Sequence, residues 1–156
     1  GAKRCKFNLL NNPHDPVCRN MADVAGAGAD AVCHVLDTYT ELDALIVFND
    51  ETLIDVLPLL KEQGLLGTLP VVSRNGSPAA VAAVKRGDSL ATYDYGLPEM
   101  GLAAGNVFKD IFLNGSGLED EIVCPTYGCV IDEDAAGSYV PWEKRAPAVE
   151  LITGLD

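Results

Sequence analysis

The chain has 156 residues, 48% of them hydrophobic and 22% charged, a balance that suits one ordinary globular domain with a real core. Its 11 Lys and Arg stand against 23 Asp and Glu, a formal net charge of -12. That balance repels phosphate backbones, and with no basic run to compensate locally, nucleic acid and anionic membrane are not expected as partners. No apolar run reaches the roughly 18 residues of a membrane span, and the opening GAKRCKFNLL is too short in apolar residues for a secretion signal. Five cysteines, Cys5, Cys18, Cys33, Cys124 and Cys129, form no CxxC pair and no other zinc-binding spacing, so neither a metal nor a cofactor is expected.

In chain order, CKFNLL at 5–10 predicts a short strand, and NNPHDP after it a turn. A helix is predicted from about Val17 to Asp37, its middle weakened by Gly26 and Gly28 at roughly 1 kcal/mol each relative to alanine. ALIVF at 44–48 is a continuous apolar run with β-branched residues, the pattern of a strand covered on both faces. Leu53, Val56, Leu57 and Leu60 recur at helical spacing and predict a one-faced helix that Pro58 bends and Gly64 closes. LPVVS is the next strand. NGSPAAVAAVKRG then supplies a turn, a Ser77 cap, Pro78 at the first helical position and a closing Gly87. SLATYDYG continues the strand series, and Leu97 to Leu113 form a helix with Met100, Ala103, Ala104, Val107, Phe108 and Ile111 on one face. A loop at NGSG, an extended EIVCPTYGCVI and a tail with Pro141, Trp142 and Pro147 complete the chain. The alternation of strand and helix implies parallel strands joined by right-handed crossovers.

In such sheets ligands bind beyond the carboxyl ends of the strands. Those ends read Asn11-Asn12, Asn49-Asp50-Glu51, Ser73-Arg74-Asn75 and Asp94-Tyr95. Amide, carboxylate, guanidinium and phenol groups can together donate to and accept from a polyol, and Tyr95 can cover an apolar sugar face. The structural alternative is that such residues cap helices and shape turns, and Asp50 in particular can cap a helix that starts near Thr52. GAGADA at 26–31 satisfies the dinucleotide fingerprint in form, but it lies inside a helical run and reads as a close-packing segment. His14 and His34 have no serine or cysteine at a nucleophile spacing, and no G-x-S-x-G elbow occurs. Glu119-Asp120-Glu121 and Asp132-Glu133-Asp134 read as solvated loops. Cys124 and Cys129 read either as one small closed loop or as separate buried thiols.

The run ELDALIVFNDETLIDVLPLLKEQG, followed by LPVVSRNGSPAAVAAVKRGDSLATYDYGLPEMGLAAGNVFKDIFLNG, resembles the C-terminal half of the type 1 sugar-binding periplasmic receptors of the ribose and galactose kind. Lactose-repressor-type regulators share that core. The resemblance is good over about Thr40 to Gly115 and loose over Lys6 to Tyr39. It implies an α/β fold with a three-layer Rossmann-like parallel sheet, the lobe of a periplasmic binding protein of type 1. Residues 1–115 would form that lobe, with 97–113 a helix that belongs to the other lobe in relatives, and 116–156 an extended segment and tail. The implied function is non-enzymatic binding of a small sugar-like solute as part of an ABC-transporter substrate-binding protein, periplasmic or extracellular, working with a membrane permease. Asn49 matches the family's strand-ending asparagine. Ser73-Arg74-Asn75-Gly76 matches its GFDG turn, so Arg74 replaces an aromatic residue and Asn75 a carboxylate. Tyr95 falls near the hinge glutamine.

Asn49, Asp50, Arg74, Asn75, Asp94 and Tyr95 are thus the expected ligand contacts, and an arginine in the cleft favours an acidic or phosphorylated ligand. The family's preceding strand, helix and N-terminal lobe are not in this sequence, so a second copy or a separate N-terminal lobe is expected to complete the fold. Two other readings stay open. One is the effector-binding core of a transcription regulator, which needs a helix-turn-helix upstream; the other is a small α/β enzyme using Asp50, Asp94 or His14.

Overall fold

The computed structural model describes residues 8–10, 14, 24–115, 123 and 128–145. Asn11-Asn12, the helix expected over 17–23, Glu119-Asp120-Glu121, Cys124 and Pro147 lie outside the described residues. Of the first predicted strand, the described part, 8–10, has no regular secondary structure.

Helix α1 (Ala27–Thr38) begins where glycine permits it. Gly26 is not in a helix middle as expected: it precedes the first turn with φ 83, and its N–H donates to Asp55 at 2.7 Å. Gly28 does lie at a close helix crossing, because a Cβ there would come within 2.6 Å of the Thr52 methyl. The packing reading of GAGADA therefore holds. Strand β1 (Leu45–Ile46) is short, and α2 (Asp50–Glu62) follows. The cap of α2 is Asn49 and not Asp50, since the Asn49 Oδ1 accepts from both the Thr52 N–H and its hydroxyl, at 2.8 and 2.7 Å. Leu53, Val56, Leu57 and Leu60 are all buried, as their spacing predicts. The helix continues through Pro58 to Glu62, with the proline ring on the exposed side.

Strand β2 (Val71–Arg74) leads to α3 (Pro78–Arg86), which Ser77 caps and Gly87 closes with φ 77. Strand β3 (Ala91–Asp94) precedes α4 (Leu97–Phe112). The tail contributes β4 (Cys129–Ile131), α5 (Glu133–Ala136) and α6 (Trp142–Arg145). Asp132-Glu133-Asp134 is no loop, because Asp132 caps α5 by accepting from the Ala135 N–H. Cys129 is an exposed free thiol, not a buried one.

The four-stranded sheet has the order β1-β2-β3-β4. The first three strands are parallel, as the strand-helix alternation implies, and β4 adds antiparallel at the edge of β3. The fold is thus α/β with a mostly parallel open sheet. Helices α1, α2 and α3 share one apolar cluster with Leu45, Val47 and Val71, and α5 joins α3 beneath Ile131. All of these residues point to one sheet face. On the other face Ile46 is 77% exposed, Phe48 52%, Tyr93 39% and Val130 56%. ALIVF is therefore covered on one face only, because no described helix packs across Ile46 and Phe48. Helix α4 has no buried residue, and its Met100, Phe108 and Phe112 are exposed. Among the described residues, no helix is long and apolar enough to cross a membrane.

Candidate functional site

The carboxyl ends of β1, β2 and β3 meet along one rim, and a buried carboxylate ties them together. Asp50 is 1% exposed. Its Oδ1 accepts from the Ser73 hydroxyl at 2.5 Å and the Thr92 hydroxyl at 2.7 Å, and its Oδ2 accepts from the Ser77 N–H at 2.6 Å. One side chain thereby joins the start of α2 to β2, β3 and the cap of α3. These bonds replace the water that the charge loses on burial.

Above this node lies an arginine cage. Strand alternation turns Phe48, Arg74 and Tyr93 toward the helix-free face. Arg74 is half-buried there, with its guanidinium 4.4 Å from the Phe48 ring centre and 5.7 Å from that of Tyr95. Its Nε donates to the Phe48 carbonyl at 2.6 Å, and its Nη1 donates to the Tyr95 hydroxyl at 2.8 Å. Tyr95 is held edge-on by Tyr93, with ring centres 5.2 Å apart. Beside the cage, Asn75 has φ 123, which asparagine tolerates better than most side chains. Its N–H donates to the Tyr93 carbonyl, and its Nδ2 donates to Glu51 at 3.2 Å.

The third strand end is closed by the tail. Asp94 is 1% exposed; its Oδ1 accepts from the Gly96 N–H at 2.8 Å, where the chain turns into α4. Its Oδ2 accepts from the Tyr139 hydroxyl at 2.9 Å and from Arg145 Nη2 at 2.6 Å, and Arg145 Nη1 reaches Glu99 of α4 at 3.3 Å. Gly76 permits this approach: it has φ 72, and a Cβ there would lie 2.7 Å from the Asp94 Cβ. Burial, reinforced by the hydrogen bond to the Asp94 carboxylate, pushes the Tyr139 hydroxyl well above the ordinary tyrosine range. Burial would lower the Arg145 pKa, but the Asp94 carboxylate outweighs it and the net shift is upward.

The six expected ligand contacts therefore divide. Arg74 and Tyr95 touch each other at the rim, and Asn75 stands beside them, paired with Glu51. Asn49 ends the β1 segment at the rim and is itself buried, 9% exposed, with its Oδ1 committed to the cap. Asp50 and Asp94 are each 1% exposed, and their oxygens already accept from the protein's own donors. Reading strand ends missed Phe48, Tyr93, Tyr139 and Arg145. Phe48 and Tyr93 were legible as the alternate residues of their strands, one step before each named polar end. Tyr139 and Arg145 carry no local signal, being 45 and 51 residues from Asp94. A hollow of about 360 Å³ lies at the opposite, amino end of β2 and β3, lined by Gly67, Leu69, Arg86, Leu90 and Glu133. It is remote from the rim, where a sheet of this type places its ligands.

No family model and no curated protein matches the sequence. Solved structures do match in fold. One is an ABC transporter solute-binding protein from Mycobacterium smegmatis with bound glycerol, at TM-score 0.64 and 19% identity, over 80% of this chain and 42% of that one. Another is a periplasmic ribose ABC transporter protein from Conexibacter woesei, at TM-score 0.62 and 19% identity, over 81% of this chain and 44% of that one. The periplasmic binding protein of an arabinose ABC transporter from a Shewanella species, bound to arabinofuranose, matches at TM-score 0.61 and 24% identity, over 73% of this chain and 38% of that one. The fold is that of the type 1 periplasmic binding proteins, and the chain spans about two fifths of the length of these structures.

Proposed function

We propose that this chain binds a small polar solute of the sugar or sugar-derivative class, without chemical change, as the C-terminal part of an ABC-transporter substrate-binding protein. The observation that carries this reading is the rim itself. Parallel strands end together in Asn49, Arg74, Asn75 and Tyr95, an array that offers amide and guanidinium donors, a phenol and an aromatic face. The structural neighbours are binding proteins named for ribose, arabinose and similar sugars, which supports the class of ligand. In this role Asp50 and Asp94 act as positioning residues beneath the contact surface. By the same likeness, the working compartment is periplasmic or extracellular and the downstream partner a membrane permease.

Calorimetry of the full chain against a panel of neutral sugars and sugar acids tests this. Asn49→Ser keeps an oxygen for the α2 cap and removes the Nδ2 donor, which makes no other hydrogen bond among the described residues. Saturable binding weakened in this variant by about 1–3 kcal/mol is the expected outcome. Unchanged affinity would remove Asn49 from the site, and no saturable binding to any member of the panel would remove the function.

The rim forms one wall, and the uncovered sheet face and α4 are apolar surfaces of a kind that soluble proteins seldom leave bare. A second copy or a separate N-terminal lobe therefore completes the cleft. Light scattering on the full chain reads this directly.

A further inference from the structure

The caged arginine has a property that neutral-sugar binding does not require. Its charge is unpaired: Arg86 pairs with Asp88, and Arg145 with Asp94 and Glu99, but no ion pair among the described residues includes Arg74. The partners it does have are a neutral carbonyl and a neutral phenol. In a chain of net charge -12, acidic partners are abundant, and a half-buried cation left without one retains most of its attraction for an anion. The group is also held in place. Two hydrogen bonds and two aromatic faces fix its plane, so little side-chain entropy remains to be lost on binding. The Nη2 amino group makes no hydrogen bond among the described residues, which leaves its N–H donors for a ligand.

Resting on the sugar-binding reading above, we infer that the ligand is a sugar acid, a monosaccharide bearing a carboxylate, and that Arg74 is the residue that selects it. The carboxylate accepts from Nη2 with charge assistance. Phe48 and Tyr95 lie beside the guanidinium, with ring centres 4.4 and 5.7 Å from it, and Tyr95 offers a ring to the apolar face of the sugar. A carboxylate fits better than a phosphate ester. It carries one charge for the one cation, and a dianion at this rim would leave its second charge unmatched beside Glu51 and within an acidic chain.

The test is calorimetric titration of the full chain with D-galacturonate and D-glucuronate against D-galactose and D-glucose, with glucose 6-phosphate as a third arm. The expected result is uronate binding at least tenfold tighter than the neutral sugars. That preference should shrink as ionic strength rises, while neutral-sugar affinity stays flat. Arg74→Gln should lose uronate affinity by a larger factor than neutral-sugar affinity, and Arg74→Lys should recover part of the preference. Neutral sugars binding as tightly as uronates would overturn the assignment and leave the sugar-binding reading standing, as would a preference that survives in Arg74→Gln. Tighter binding of glucose 6-phosphate than of either uronate would replace the carboxylate with a phosphate. Absence of saturable binding to every probe, with the chain folded by circular dichroism, overturns both readings together.

Discussion

Asp50 shows how one side chain decides the geometry of a rim. It accepts from three donors that belong to three different elements, and it does so with essentially no contact with water. Removing it leaves the Ser73 and Thr92 hydroxyls and the Ser77 N–H without their partner. Each unpaired group costs about 1–3 kcal/mol, non-additively. Asp50→Ala is therefore expected to destabilise the chain by about 3–5 kcal/mol, read as a lower midpoint at unchanged slope in urea denaturation. A loss under 1 kcal/mol would mean that the node is not structural. The sequence admitted two roles for this residue, ligand contact and helix cap, and the structure gives the cap to its neighbour. Asn49, one position earlier, has the extended φ of -153 that a cap needs, so its oxygen reaches the Thr52 N–H.

Among the elements, α2 and α3 formed where their local signals were read. The Ser77 cap, Pro78 at the first helical position and Gly87 after the last define α3 to the residue. The apolar spacing of α2 buries each of the leucines and the valine it predicted. The tail was the opposite case. Its helices α5 and α6 are short, and what they do depends on partners far along the chain. Tyr139 and Arg145 converge on Asp94, and Arg145 also grips Glu99, so the tail clamps the turn between β3 and α4.

This clamp has a pH signature. Tyr139 is held protonated in the folded chain above its ordinary value of about 10, because its hydroxyl is partly buried and donates to a carboxylate. In the unfolded chain it deprotonates at that ordinary value. The unfolded state thus binds fewer protons above pH 10, and the stabilising contribution of Tyr139 to the folded chain, complete below that pH, is lost as pH rises further. Denaturation midpoints measured from pH 8 to 11 should fall at the alkaline end, and Tyr139→Phe should flatten that fall. An identical alkaline profile in the variant would assign the loss to other groups.

At the scale of the molecule, the described residues form a sheet with helices packed on one face. Helices α1, α2, α3 and α5 bury that face, while Ile46, Phe48, Tyr93 and Val130 stand exposed on the other, and α4 presents Met100, Phe108 and Phe112 without cover. Parallel strands are ordinarily covered on both sides, so association is the expected state. Light scattering at micromolar concentration should give a mass above the 16.5 kDa of one chain, or bright binding of a hydrophobic dye where no partner is available. Phe108→Lys should reduce both signals without loss of stability beyond about 0.5 kcal/mol, since the side chain is 60% exposed. A monomeric mass with no dye binding would show that these faces need no partner.

Taken by itself, the sequence determined the α/β class, the parallel series of strands, the ends of α3 and the rim on which polar residues gather. Those features follow from interactions within a few residues: apolar period, side-chain caps, and the freedom of glycine at a helix end. ALIVF could be read as a strand for the same reason, but the cap that follows it is Asn49 and not Asp50. Only the tertiary structure decided which polar residues face solvent. Asp50 and Asp94 became buried because hydroxyls and N–H groups from other elements satisfy them, and Arg74 has no ion pair among the described residues because its neighbours across the sheet are a carbonyl, a phenol and two aromatic rings. A side chain's partner is set by what the fold brings within about 3 Å of it, and partners that lie tens of residues away leave no trace in local spacing.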